Sequence, residues 1–279
     1  MSSFTLLQWN TLCKILSDKE AFPYADEKSL IWENREPMLR EIIDKIKADI
    51  ICLEEVGNFN TGFKTEILDK CSIKYDLIFE ERASKIMGNV LGVNKELFEI
   101  ENYENLFLDE EVGKPGGINI ISAIIKDKKT NNKFVVIVVH LKAKEKFENV
   151  RIVQMDHLMR YIEEKFLKKY PIFILGDFNA EPTYQSILNL MANDKIKPKS
   201  LFDLKTLDFT TIKLRDVLYR RIIDYIFFVG KNPNEIEKEL KIISCDKGRP
   251  ELDEKIGLPN NVFPSDHVYL QAKVELNYI

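Results

Sequence analysis

Apolar residues recur along this chain in two rhythms. Short runs of strand length, several alternating with polar residues, occupy 4–9, 49–56, 75–80, 90–93, 97–108, 118–126, 134–141, 172–175, 222–229, 240–244 and 267–276. They predict β-strands, in which successive side chains face opposite sides. A second rhythm of i, i+3, i+4, i+7 runs through Met38, Leu39, Ile42, Ile43 and Ile46, and again through Ile152, Met155, Leu158, Met159, Ile162 and Phe166. It predicts amphipathic helices over 33–47 and 149–167, with shorter helices expected over 63–71 and 184–191. Glycine and proline mark 109–117 and 249–264 as loops, and 201–214 reads as irregular.

The runs 118–126 and 134–141, joined by a polar turn at 128–132, read as a hairpin. A hairpin is antiparallel, so the sheet cannot be all parallel. With no repeat, linker or break in composition, the expectation is an α/β fold of mixed sheets and long helices, in a single domain over 1–279.

The chemistry gathers where the apolar runs stop. Asn10, Glu55, His140, Asp177 with Asn179, Asp224, and Asp266 with His267 each abut the end of a strand-like run. The stretch PIFILGDFNAEPT at 171–183 is the clearest case: four apolar residues, a glycine, then Asp177 and Asn179. Ligands of α/β proteins bind beyond the carboxyl ends of strands, although Asp and Asn are common in turns for local reasons alone. In DIICLEEV at 49–56, alternation sends Glu54 and Glu55 to opposite faces. Of three histidines, His140 and His267 fall at strand ends, while His157 lies in a helix, where a solvated position is expected.

Composition narrows the class. Hydrophobic residues make up 45% and charged residues 31%, as in an ordered globular protein, and the net charge of −4 argues against gripping long nucleic acid by charge alone. Cys13, Cys52, Cys71 and Cys245 form no CxxC pair, so reduced thiols and a cytoplasmic location are expected. No apolar run is long enough to span a bilayer and no signal peptide is evident, so no membrane partner is expected.

This set of polar residues suits metal-assisted hydrolysis of a phosphoester. Hard oxygen ligands such as Glu55 and Asp266 favour Mg2+ or Mn2+ over zinc. Asp177 is suited to deprotonate or position a water that Asn179 orients. His267, if held by Asp224, is suited to donate to transition-state oxygens, with His140 as a second donor.

WNTL at 9–12, LEEV at 53–56, VHLKA at 139–143, GDFNAEPT at 176–183, IDYIF at 223–227 and PSDH at 264–267 resemble, in order, the endonuclease/exonuclease/phosphatase superfamily. The resemblance is strongest to its branch of nocturnin, the Angel proteins and the carbon-catabolite-repressor deadenylases. It implies a two-sheet β-sandwich flanked by helices, in four α/β/β/α layers, with the active site at one edge. It implies a divalent metal held by Glu55 with Asn10 nearby, and Asp266-His267 as a terminal signature. Lys142, Arg220 and Arg82 match phosphate-contacting basic residues. The substrate class implied is a nucleotide or RNA: the 2′-phosphate of NADP(H), or alternatively the 3′ end of poly(A), with another phosphoester or a non-catalytic binding protein as the remaining readings. Two residues depart from the pattern. Glu54 stands where Gln is usual, with a packing or hydrogen-bonding role expected, and Val139 stands where Thr is usual, with altered substrate contacts expected. The chain carries no leucine-rich repeat, so docking to a scaffold through such repeats is not expected.

Overall fold

In a computed structural model the described residues are 1–108 and 117–278, so the loop expected over 109–117 lies almost wholly outside them. The strands are β1 (Ser2–Asn10), β2 (Ile50–Val56), β3 (Tyr75–Glu81), β4 (Gly88–Asn94), β5 (Phe98–Phe107), β6 (Asn119–Asp127), β7 (Lys133–His140), β8 (Ile172–Asp177), β9 (Lys199–Ser200), β10 (Thr211–Leu214), β11 (Leu218–Arg221), β12 (Asp224–Val229), β13 (Leu240–Lys247) and β14 (Leu270–Leu276). The α-helices are α1 (Glu27–Leu30), α2 (Trp32–Ile46), α3 (Glu148–Lys165), α4 (Gln185–Met191) and α5 (Ile236–Glu239).

Two six-stranded mixed sheets result, ordered β13-β14-β1-β2-β4-β3 and β5-β6-β7-β8-β12-β9. Each contains one parallel pair bridged by a helix: β1 and β2 through α2, β7 and β8 through α3. The remaining pairings are antiparallel, as the hairpin required. Period-two alternation then builds the layers. Phe4, Leu6, Ile50, Cys52, Phe134, Val136, Val138, Phe173, Leu175, Ile226 and Phe228 form the core between the sheets. The alternate residues Val135, Ile137, Val139, Ile172 and Ile174 pack under α3 with Met155, Leu158 and Ile162, and Leu7, Trp9, Ile51 and Leu53 pack under α2 with Leu39 and Ile43. This is the four-layer sandwich anticipated. Each buried side chain of this size contributes roughly 1.5–3 kcal/mol.

Two local expectations change. The segment expected as an α-helix is a π-helix, Phe59–Ile67, followed by a short 3-10 turn, Leu68–Lys70. Its buried residues Phe59, Phe63 and Ile67 are spaced by four, which the wider turn keeps on one face. Within the stretch read as irregular, β10 pairs with β11 as a small ribbon. Its turn, Arg215-Asp216-Val217, has none of the Gly or Asn residues that announce a hairpin. All four cysteines are free thiols, as expected, and among the described residues no helix is long and apolar enough to cross a membrane.

Candidate active site

At one edge of the sandwich the inward-facing register runs out of apolar residues and becomes polar in both sheets at once. Phe4 and Leu6 are followed on the same face by Gln8 and Asn10, Cys52 by Glu54, Val138 by His140, Leu175 by Asp177, and Ile226 is preceded by Asp224. Parallel pairing sets Asn10 beside Glu54 and His140 beside Asp177, and the antiparallel neighbour sets Asp224 beside Asp177. These six side chains are almost fully buried, so each needs a partner.

Asp177 Oδ2 is the centre of the arrangement. It accepts a hydrogen bond from Asn10 Nδ2 at 3.1 Å and lies 3.6 Å from His140 Nε2 and 3.8 Å from His267 Nε2. Its other oxygen accepts from the Asn179 backbone N–H at 2.8 Å. Asn179 has φ +52°, a left-handed conformation asparagine tolerates, and its Nδ2 donates to the Leu141 carbonyl. The turn and the site are therefore the same feature. Burial and the charge of Asp224 push the Asp177 carboxyl up to about 7, against the opposing pull of His267 and the donors.

His267 Nδ1 meets Asp224 Oδ2 at 2.9 Å. Burial works against its charge, but Asp224, Asp266 and Asp177 outweigh that and lift it to about 10, so the ring is an imidazolium at neutral pH. His140 is fully buried and pushed well below the ordinary range by desolvation and by Arg82, so it is neutral. Its Nδ1 has no hydrogen-bond partner among the described residues.

Glu55 escapes strict alternation. It has φ +57°, and the β2–β4 register shifts between Leu53 and Val56. Such a bulge re-aims a side chain, here into the site: Glu55 Oε1 lies 4.0 Å from His140 Nε2 and Oε2 accepts from the Cys13 N–H at 3.3 Å. Glu54, one residue earlier, stays in register and is buried beneath. Gln8 Nε2 donates to Glu54 Oε2 at 2.8 Å and to Asp224 Oδ1 at 2.9 Å, giving Glu54 the hydrogen-bonding role expected of it. Burial, Asp224 and Asp177 raise Glu54 well above the usual carboxylate range.

Asp266 is buried and pairs with Lys213 of β10 at 2.6 Å. The ribbon also fixes the backbone here, through the Thr211–His267 bridge and the Thr211 Oγ1 bond to the Asp266 carbonyl at 2.9 Å. Thr210 Oγ1 accepts from the N–H groups of Ile223 and Asp224 at 2.9 and 3.1 Å. Sequence reading missed Gln8, Thr210, Thr211, Lys213 and Ser265. Gln8 alone left a signal: it is the polar residue at a core position of the alternation Phe4, Leu6, Gln8, Asn10.

The basic residues are less convergent. Arg82 is buried and donates to the His140 carbonyl at 2.7 Å, bracing that strand end instead of facing outward. Arg220, on β11, is directed to Glu254 at 2.7 Å on an exposed surface. Lys142 follows His140 by two residues and its ammonium lies 5.0 Å from the ring centre of Phe147. Val139, expected near the site, packs under α3 instead, because it alternates with His140. His157, expected in solvent, is half-buried.

Asp177, Asp224 and His267 offer donor atoms within 4.8 Å of one another. An imidazolium cannot ligate, so this trio reads as an ion-pair network; the carboxyl oxygens of Asp177 and Glu55, both near His140 Nε2, remain as hard donors. Crowding that holds a carboxyl near 7 is relieved by a hard divalent cation, and the thiol of the adjacent Cys13 turns away to the Ile86 carbonyl. The residues present fit such a cation.

Residues 7–267 match the Endonuclease/Exonuclease/phosphatase family, and the chain belongs to it. Nocturnin of Homo sapiens is 27% identical over 95% of this chain and 63% of its own length. A probable CCR4-Not complex 3′-5′-exoribonuclease subunit Ccr4 of Vairimorpha ceranae is 26% identical over 84% of this chain and 56% of its own. The chain thus spans less than two thirds of the length of these relatives. Among solved structures, ANGEL2, a 2′,3′-cyclic phosphatase in complex with adenosine-2′,3′-vanadate, superposes with a TM-score of 0.80, 17% identity, and coverage of 98% of this chain and 96% of that one.

Proposed function

We propose that this protein is a divalent-metal-dependent hydrolase that breaks a phosphoester bond at a ribose oxygen of a nucleotide-type substrate, the 2′-phosphate of NADP(H) being the substrate to test first. The observation that carries the reading is Asp177 Oδ2, with Asn10 Nδ2, His140 Nε2 and His267 Nε2 all within 3.8 Å of it. One acid ringed by an amide and two imidazoles suits a water and a phosphoryl group side by side.

Glu55, with Asn10 and Asp266, would hold the cation, Mg2+ or Mn2+. When bound, it supplies charge neutralisation to the phosphoryl and leaving oxygens. Asp177, at the centre of the cluster, takes the proton of the attacking water. Asn179, anchored through its own turn, orients that water. His267, kept cationic by Asp224, donates to an equatorial phosphoryl oxygen, where negative charge builds up. His140 donates as a neutral ring, and Lys142 and Arg220 contact further phosphates at the rim, Arg220 by exchanging Glu254 for substrate. Arg82 reaches substrate only through the His140 backbone it holds.

The alternative substrate is the 3′ end of RNA, which the similarity to Ccr4 favours. The neighbour ANGEL2 adds a cyclic phosphate to the set, and all three substrates carry phosphorus on a ribose 2′ or 3′ oxygen. The net charge of −4 leans toward the compact substrate, since polyanion affinity scales with phosphates neutralised. Purified protein with Mg2+, and with EDTA as control, is offered NADPH, oligoadenylate and an adenosine 2′,3′-cyclic phosphate. Phosphate release from NADPH is the expected result. Shortening of the oligomer alone, or opening of the ring alone, replaces the substrate, and inertness toward all three removes the proposal.

A further inference from the structure

We infer that Arg35 is a positioning residue for the metal site, one buried guanidinium holding together the two chain segments that carry Asn10 and Asp266. The inference rests on the metal-dependent reading above. Arg35 lies in the first turns of α2, outside the catalytic edge, and its side chain is fully buried. Its Nε donates to the Pro264 carbonyl at 2.6 Å, and its Nη2 to the carbonyls of Thr11 at 2.8 Å and Leu12 at 2.5 Å. Pro264 is two residues before Asp266, and Thr11 follows Asn10 directly. The loop it grips includes Leu12 at φ +56°, a conformation that needs holding, and beyond it the Cys13 N–H that bonds Glu55. Ser265 Oγ, bonded to the Asn10 carbonyl at 2.7 Å, ties the same two segments by one neutral hydrogen bond.

Every hydrogen-bond acceptor of Arg35 is a neutral carbonyl, so none of them cancels its charge, and Nη1 is buried with no hydrogen-bond partner among the described residues. The acids acting on it are Asp266 and Glu55. Burying a cation whose hydrogen bonds go to neutral carbonyls is costly, even with the Trp32 ring centre 5.7 Å from the guanidinium, and a planar fork reaching two segments is something lysine cannot reproduce. The two possible roles have opposite signs. A nearby positive charge by itself weakens cation binding, so its removal tightens binding. Loss of positioning displaces the ligands and loosens binding.

Arg35→Lys keeps the charge and loses the fork; Arg35→Met loses both. Mn2+ binding to each, followed by electron paramagnetic resonance, is compared with wild type and with Glu55→Gln, and thermal unfolding in EDTA is recorded alongside. Both Arg35 variants are expected to bind Mn2+ about 10–100-fold more weakly, the range for residues that orient metal ligands. A wild-type dissociation constant in Arg35→Lys, or tighter binding by Arg35→Met, overturns the inference even if either variant melts earlier. If Arg35→Met does not fold, Arg35→Lys carries the test. Wild type that binds no Mn2+ sensitive to Glu55→Gln removes the metal reading and this inference together, whereas normal binding by the Arg35 variants removes this inference only.

Discussion

In the first sheet β1 and β2 run parallel through α2; in the second, β7 and β8 run parallel through α3. Each helix sends one fully buried arginine back to the loop that follows its first strand. Arg35 bonds the Thr11 carbonyl at 2.8 Å and the Leu12 carbonyl at 2.5 Å, and Arg151 bonds those of Lys142 and Lys144, both at 2.8 Å. At the strand ends Asn10 pairs with Glu54 as His140 pairs with Asp177. Glu54 and Asp177 are thus positional counterparts, both buried acids with raised pKa. They differ in what comes next. After Asp177 the chain turns through Asn179, leaving the acid at the strand's end. After Glu54 a bulge delivers Glu55 instead, and Glu54 is left underneath, bonded to Gln8. One half presents its registered acid; the other presents the residue beyond it.

The largest expected contrast is between Asp177→Asn and Glu54→Gln. The first removes the proposed proton acceptor and should lower kcat about 1,000-fold without unfolding the protein. The second replaces a buried carboxyl, held well above the usual carboxylate range, by its neutral amide and should leave kcat within about threefold. Comparable losses in both, measured on whichever of the three candidate substrates is hydrolysed, would erase the distinction between the two acids.

Gly176 faces the Val139 carbonyl across the β7–β8 pair at φ +153°, and a Cβ there would lie 1.8 Å from that oxygen. Gly176→Ala should therefore destabilise by about 3 kcal/mol, read by denaturant unfolding, as overpacking and strain do. A wild-type midpoint would mean that the strand end yields.

Loss of Arg151 tests the other side of the comparison. It shapes the loop carrying Lys142, so Arg151→Met should raise KM several-fold, roughly the effect of one or two lost hydrogen bonds, while Mn2+ affinity stays at the wild-type value. The opposite pattern, weakened metal and unchanged KM, would merge the roles of the two arginines.

The smallest effect is on stability against pH. Asp177 and Glu54 have folded pKa values above their unfolded ones, and so does His267, lifted from 6.5 to about 10. A raised folded pKa stabilises below the unfolded value, and that contribution fades as pH rises through the folded one. His140, held well below 6.5, works the other way while pH is below that value, but three raised groups outweigh it, so metal-free protein should melt at a higher temperature near pH 5 than near pH 8. Glu54→Gln should narrow the gap, as should saturating Mg2+ in the wild type. An unchanged gap in Glu54→Gln would mean that the buried acid does not drive it.

Alternation and helical spacing in the sequence determined most of the strands, the two long helices, the mixed sheets and most of the polar edge. The reason is that period two and period 3.6 are properties of the chain itself, and a polar residue at the end of an apolar run stands out without coordinates. Asn10, His140, Asp177, Asp224 and His267 were all legible in that way. Tertiary structure decided the rest. The side to which Glu55 points depends on a bulge in pairing with β4, and the ribbon β10–β11 holding Asp266 and His267 has no turn signal of its own. Of the basic residues read as phosphate contacts, Arg82 bonds a backbone carbonyl and Arg220 pairs with Glu254. Such choices depend on which groups meet across tens of residues, and no local rhythm in a chain encodes them.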